Sequence, residues 1–384
     1  MYFLGGDRIY IKPVRNRVSL IEQLSDCLGQ LDQINEGKKI FKLNFFADTS
    51  SDKSYHDLLS KINELLSDRF TTPVIKSVIA QPPLTCKVLI EAFYYDASRW
   101  DSVYIPEQNG VAMLFSREGT EILIGNIHAA SGKKCRENAE FAFSTFADIL
   151  KSKRFPVNSI VRQWNYVEDI LGFDDNKQRY QEFNNVRSDF YADHFSRTGF
   201  PAATGIGMNR GGVIIEFIAI KSKIANSIPI DNPGQVPAHV YSGNVLAGDN
   251  FSKKETPKFE RARYLNLFGK KLILISGTAS IRGEKTVGRD NPAEQTRITI
   301  ENIRRLYSPL VLSKVSENNI EPIYGHSRVY VKNRKDFSAI KKTFKSYFGD
   351  LPVVYIIADI CRDDLLVEIE GKVILQNLKS IPNI

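Results

Sequence analysis

Metal-ligating and disulfide-forming residues are few and scattered in this 384-residue chain. The four cysteines (Cys27, Cys86, Cys135, Cys361) form no C-x-x-C pair, and the five histidines (His56, His128, His194, His239, His326) never fall at zinc spacing. No apolar run nears the length of a membrane span. The opening Met1-Tyr2-Phe3-Leu4-Gly5-Gly6 also lacks the basic and apolar regions of an export signal. The expectation is a reduced, cytoplasmic protein with no membrane partner, no metal and no cofactor. No G-x-G-x-x-G joins a strand to a helix, which argues against a phosphate loop. Lys and Arg exceed Asp and Glu by 52 to 44, yet no basic block stands out. A net charge of +8 suits an anionic small molecule, and nucleic acid is not expected as a partner.

What the chain does contain is one pattern twice. Glu216, inside Val213-Ile214-Ile215-Glu216-Phe217, follows Gly125 by 91 residues, and Glu368, inside Leu366-Val367-Glu368-Ile369-Glu370, follows Gly277 by the same 91. A proline lies late in each copy, at Pro201 and Pro352. So long a period indicates duplicated domains rather than a solenoid. The reading is α+β: an N-terminal α/β extension over 1–85, a first unit over 86–225, a connecting excursion over 226–258 and a second unit over 259–384. Each unit is read as a mixed sheet with two helices on one face. Val88–Tyr95, Val111–Ser116 and Glu121–Gly125 read as a meander, and Gly205–Met208 with Val213–Ile220 as a closing hairpin. The second copy ends on a similar pair, Val353–Ile360 with Leu365–Ile374. Asn291-Pro292 with Glu294 marks a helix start.

Carboxylates among β-branched residues ask for a chemical explanation, because burial makes them costly to ionise. Strand alternation puts Glu368 and Glu370 on one face. If that face lines a cleft, desolvation would keep a proton on Glu368 for general-acid work; a sheet-edge glutamate paired with a nearby Lys or Arg is the bland alternative. Cys361, at the turn before this strand, reads more readily as a small buried hydrophobe than as a nucleophile. Tyr180, Asn184 and Arg187 fall at i, i+4 and i+7, so a hydroxyl, an amide and a guanidinium share a helix face. With Arg162 they would make a cradle for an anion, or simply a polar stripe. Gly277 and Thr278, inside Ser276–Ser280, suggest close approach of a ligand or a backbone.

These stretches resemble the chorismatase family. The matching words are Arg162-Gln163-Trp164-Asn165-Tyr166, Tyr180-Gln181 with Phe183-Asn184 and Arg187, and Gly199-Phe200-Pro201 through Gly207. Thr256-Pro257-Lys258-Phe259-Glu260-Arg261-Ala262, Ser276–Ser280, Cys361-Arg362 and Leu365–Glu370 continue in the family's order. The resemblance implies RidA/YjgF-like units and cleavage of chorismate with release of pyruvate, without cofactor or metal. It places the acid that protonates the enolpyruvyl methylene carbon on Glu368. It also implies basic partners for two substrate carboxylates: Arg162 and Arg187 first, with Arg261 and Arg328 in reserve. Cys361, seven residues before the acid, and Gly277 in the facing strand resemble the 3-hydroxybenzoate-forming branch. The hydrolytic branch, which gives a dihydroxycyclohexadiene carboxylate, is the alternative. A RidA-type deaminase fits less well, because the late prolines are followed by Ala202-Ala203 and Val353-Val354 and not by the Ala-Arg of that class. A non-enzymatic binding module would keep the fold without the acid. Two fused copies and a preface would imitate a RidA trimer within one chain, so a monomer is expected.

Overall fold

The computed structural model describes residues 4, 8–31, 38–130, 132–246, 254–316 and 320–377. Three sheets follow one another along the chain, and each is built on the same four-strand plan. In the first, β1 (Arg8–Ile11), β2 (Lys38–Ala47), β3 (Ile75–Ile79) and β4 (Val88–Asp96) lie in the order β1-β4-β2-β3. Helix α1 (Leu20–Leu31) joins β1 to β2, and α2 (Asp52–Arg69) joins β2 to the parallel β3. Ser51 opens α2 with a capping box to Ser54, which satisfies backbone donors that a helix start leaves unpaired.

The second sheet repeats this plan with two added strands. Strands β5 (Asp101–Glu107), β6 (Gly110–Arg117) and β7 (Thr120–Ala129) lead into α3 (Cys135–Ser152) and β8 (Ile160–Glu168). Helix α4 (Arg179–Tyr191), β9 (Ala202–Met208) and β10 (Val213–Lys221) complete it, in the order β9-β8-β10-β7-β6-β5. The third sheet comprises β11 (Asn226–Ile230), β12 (Ala262–Leu267), β13 (Lys270–Ala279), β14 (Ile320–Val331), β15 (Val353–Ile357) and β16 (Val367–Asn377). Helices α5 (Pro292–Arg305), α6 (Pro309–Val315) and α7 (Phe337–Phe348) belong to it, and its strand order is β11-β12-β13-β16-β14-β15. Asn291 caps α5 by accepting from the Glu294 amide, with Pro292 in the first turn, as the sequence predicted. No helix among the described residues is long and apolar enough to cross a membrane.

Several sequence readings need correction. Val88–Asp96 does not open the first repeat; it pairs with β1 and β2 and completes the N-terminal sheet. Asn226–Ile230, read as part of an excursion, is an edge strand on β12. Neither closing pair is a hairpin: β9 and β10 flank β8 on opposite sides, and β15 and β16 flank β14. The chain crosses the end of β8 through Arg210-Gly211-Gly212, where the Glu168 carboxylate accepts from the Gly211 and Gly212 amides at 3.0 and 2.7 Å. Periodicity identifies strands but not their neighbours.

The helices cover the outer faces, as where Phe146 of α3 meets Phe217 of β10 at 4.2 Å between ring centroids. The inner faces of all three sheets meet in one core that includes Phe41, Phe93, Trp164, Tyr166, Ile218 and Tyr330. Register relates the three units. Glu91, Glu216 and Glu368 lie opposite Asn44, Trp164 and Tyr330, the equivalent residues of β2, β8 and β14. Two residues upstream in those strands stand Lys42, Arg162 and Arg328, opposite Phe93, Ile218 and Glu370. Each of these cations reaches into the next unit: Lys42 to Glu216 at 2.9 Å, Arg162 to Glu370 at 2.6 Å, and Arg328 to Glu91. Buried pairs of this kind add little net stability, but removing one partner strands a charge at roughly 3–5 kcal/mol.

Candidate active site

The seam between the second and third sheets opens into a cavity of about 690 Å³. Helix α4 supplies Tyr180, Gln181 and Asn184 to its wall, and β9 supplies Ala203 and Gly205. From the third unit come Phe259, Arg261, Gly277, Ala279, Cys361, Arg362 and Glu368. The seam is tied across by backbone and side-chain bonds. Ala203 N donates to Ser276 Oγ at 2.9 Å, Gly277 N to Thr204 Oγ1 at 3.0 Å, and Gly207 N to the Asp359 carbonyl at 2.8 Å. The turn carrying Cys361 is braced from α5, where Gln295 donates to the Asp364 carbonyl and accepts from the Leu366 amide, both at 2.8 Å.

Alternation along β16 puts Glu368 on the wall with 4% of its surface exposed. Its carboxyl lies flat against Gly277, where a Cβ would stand 1.9 Å from Glu368 Oε1. Gly277 sits in a bulge of β13, between the paired residues Ile275 and Thr278. Gly205 serves the opposite wall: a Cβ there would come within 3.1 Å of the Tyr180 ring. Burial is the main reason that the Glu368 carboxyl titrates high, at about 8, and the nearby Glu370 charge pushes the same way. Arg162 and Arg261 pull it down, but by less. Cys361 is half-buried, and burial, helped by Glu368, pushes its thiol up to about 12. At neutral pH the wall therefore carries a protonated carboxyl and a protonated thiol. It can deliver a proton, but it presents no thiolate nucleophile.

Positive charge faces the same space. Arg261 donates to the Val236 carbonyl at 2.9 Å and to the Tyr241 hydroxyl, leaving its buried Nε without a partner. The Tyr241 ring lies between Arg261 and Arg362, at 5.5 and 5.1 Å from their guanidinium carbons. Arg187 stands one layer back and donates to Asn184 Oδ1 at 2.6 Å, with its own Nε unpartnered. Among the described residues neither Arg187 nor Arg261 is paired with a carboxylate. Buried cations without counter-ions beside a cavity suit an anionic occupant.

Comparison with known proteins bears on what this site is. A family model described as "Chorismatase FkbO/Hyg5-like, N-terminal" matches residues 100–219. A 3-hydroxybenzoate synthase of Streptomyces hygroscopicus is 31% identical over 248 residues, covering 62% of this chain and 69% of that protein. The chain belongs to the chorismatase family. A chorismatase of Streptomyces rapamycinicus is 28% identical over 263 residues, covering 66% of this chain and 75% of that one. A chorismatase crystal structure covers 96% of this chain and 98% of its own, with a TM-score of 0.73 at 21% identity, so the fold is shared almost throughout.

The residues expected from the chorismatase resemblance divide at the wall. Glu368, Cys361, Tyr180, Asn184, Arg261 and Gly277 come together around the cavity. Arg162, Arg187, Arg328 and Thr278 do not line it. Arg328 is wholly buried and occupied by Glu91, Glu370 and the Tyr166 hydroxyl, which makes it a member of the central ion-pair ring away from the cavity wall. Arg162 likewise donates to Glu370 and Thr204 behind the wall. Arg187 reaches the cavity only through Asn184. Thr278 turns to the other face of β13 and donates back to the Ser276 carbonyl at 2.9 Å. The sequence reading overlooked Tyr241, Phe259 and Arg362 as wall residues. Phe259 and Arg362 lay inside quoted family words, whereas Tyr241 sits in a Pro-, Gly- and Ser-rich stretch that gave no signal.

Proposed function

We propose that this protein cleaves chorismate to pyruvate and 3-hydroxybenzoate, with Glu368 as the general acid. The observation that supports this reading most directly is a carboxyl held protonated on the wall of an arginine-bearing cavity, against a glycine that leaves it room. Chorismate carries two carboxylates and an enol ether. Arg261, and Arg187 acting through Asn184, face the anionic groups, while Ala279 and the Tyr180 ring offer surface to the carbocycle. Protonation of the enolpyruvyl methylene by Glu368 turns the enol ether into an oxocarbenium ion, a step that needs an acid still protonated at neutral pH.

Two branches lead onward. Water capture would consume one water and give the dihydrodiol. In the internal branch the neighbouring ring hydroxyl attacks the ring carbon that bears the ether. That carbon–oxygen bond breaks with its electron pair forming the keto group of pyruvate, the hydroxyl proton returns to the Glu368 carboxylate, and the arene oxide left behind aromatises to hydroxybenzoate with no other reactant. The Cys361 thiol, protonated and beside Glu368, supports the internal branch because it can hydrogen-bond or exchange a proton with the ring oxygen. Gly277 leaves the ring space to tilt. The protein is read as working as a monomer, since one chain supplies both sides of the seam. The test is incubation of purified protein with chorismate, following pyruvate release and separating the aromatic products by chromatography. Pyruvate with 3-hydroxybenzoate is expected; no pyruvate would refute the function, and a dominant dihydrodiol would refute the branch.

A further inference from the structure

The three units place an acid at one register position, and the fate of that acid differs between them. In the first unit Glu91 receives Arg328 from the third, and in the second Glu216 receives Lys42 from the first. By the same rule Glu368 of the third unit should receive Arg162 from the second. Among the described residues Glu368 instead makes no ion pair and no hydrogen bond. Arg162 goes to Glu370, two residues on. That position is Phe93 in the first unit and Ile218 in the second, so only the third unit carries an acid there.

Glu370 is equipped to hold this cation. Its carboxylate accepts from Arg162 Nη2 at 2.6 Å, from Trp164 Nε1 at 2.9 Å and from the Thr204 hydroxyl. Arg328 Nη1 lies 3.2 Å away and the Tyr330 hydroxyl 3.4 Å. So many donors hold a carboxylate in one place. We infer that Glu370 is a positioning residue that diverts Arg162 from Glu368 and, by its own negative charge, keeps the acid protonated. The inference rests on Glu368 being the acid of the proposed reaction.

The groups facing Glu368 agree in sign. Glu370 on its own strand opposes ionisation. Arg162 from β8 favours it, and is held back by Glu370; Arg261, ahead of β12, favours it from the cavity side. Tyr330 and Arg328 on β14, Thr204 on β9, Tyr180 on α4 and the Cys361 thiol complete the surroundings. Removing the Glu370 charge therefore acts twice in one direction: it deletes a repulsion and frees a cation.

The test is the pH dependence of kcat for pyruvate release in wild type, Glu370→Gln and Glu370→Asp. The alkaline limb should move acidward by roughly one pH unit or more in Glu370→Gln, and stay close to wild type in Glu370→Asp. A folded Glu370→Gln protein whose limb does not move overturns the inference, whatever its maximal rate. Since stranding Arg162 and Arg328 endangers the fold, a second measurement uses the unaltered protein, with 13C label on the glutamate carboxyls. One resonance, absent from Glu368→Gln, should titrate near pH 8. A Glu368 that titrates in the ordinary carboxylate range overturns it. The labelling experiment needs no turnover, so failure of the protein to cleave chorismate would remove the functional reading without deciding this one.

Discussion

Glu368 Oε1 occupies the space that a side chain on Gly277 would need, with the hypothetical Cβ only 1.9 Å away. The obstructing atom is the far end of a flexible side chain, so in Gly277→Ala the carboxyl moves and the backbone does not. A displacement of about an ångström at a proton donor lowers rates by as much as roughly 100-fold. Gly277→Ala should therefore fold normally, bind substrate and turn over slowly. Near-wild-type kcat would show that the acid is not where it acts.

Glu368→Gln should lower kcat by about 10²–10⁴-fold with KM largely kept, since the amide fills the same space but has no proton to give to carbon. In wild type, kcat should decline as pH rises through about 8, where the carboxyl deprotonates. Steady-state assays across that range settle both points; a flat profile would point to another donor.

The same titration has a signature in stability. The folded-state pKa of Glu368, about 8, lies above its ordinary 4.5, so its favourable contribution is full below 4.5 and is lost as pH rises through about 8. Glu368→Gln removes this dependence. Its Tm should exceed that of wild type by a margin that widens from acid to alkaline pH. A constant margin would mean that the acid is not desolvated.

Arg261→Ala should raise KM for chorismate tenfold or more, because a substrate carboxylate loses a charged partner. Arg187→Ala should also weaken binding, but through loss of the Asn184 contact, so Asn184→Ala combined with it should add little. Substrate titration of the three proteins distinguishes this from independent roles, in which the two losses would add.

Cys361→Val with Gly277→Ala should shift the remaining product towards the dihydrodiol while some pyruvate release continues. Valine supplies no proton to the ring oxygen, and alanine narrows the room for tilting. Chromatography of the products checks it; unchanged 3-hydroxybenzoate would show that the branch is set elsewhere.

Much of the site was legible because its chemistry lies in short words: the Glu368–Glu370 alternation, the i, i+4, i+7 face of α4 and the Asn291-Pro292 cap. The equal 91-residue spacing placed Glu216 and Glu368 at equivalent points. Gly125 and Gly277 miss each other by one register position, since Gly125 pairs with Phe217 whereas Thr278, past the bulge, pairs with Ile369. The first unit was legible as an α/β extension, with its strand over 40–46 and its helix from Tyr55, but not as a third copy of the plan. It shares strand order with the others but neither the glycine nor the proline-marked words, and Lys42 with Asn44 stands where the second unit has Arg162 with Trp164. Which arginines line the cavity was also hidden, because pairing between units joins residues far apart in sequence, as for Arg162 and Glu370, 208 positions apart.

The closed ring of Lys42, Arg162 and Arg328, each clasping an acid in the next unit, makes the protein indivisible. Excising any one repeat would strip a neighbour of its counter-charge and leave a cation facing an emptied core. Each third can change its hub residues only in step with the adjoining two. Three units on one strand plan thus differ in what they do with the same acid: two hold it in the centre against a cation, and the third leaves Glu368 open to the cavity.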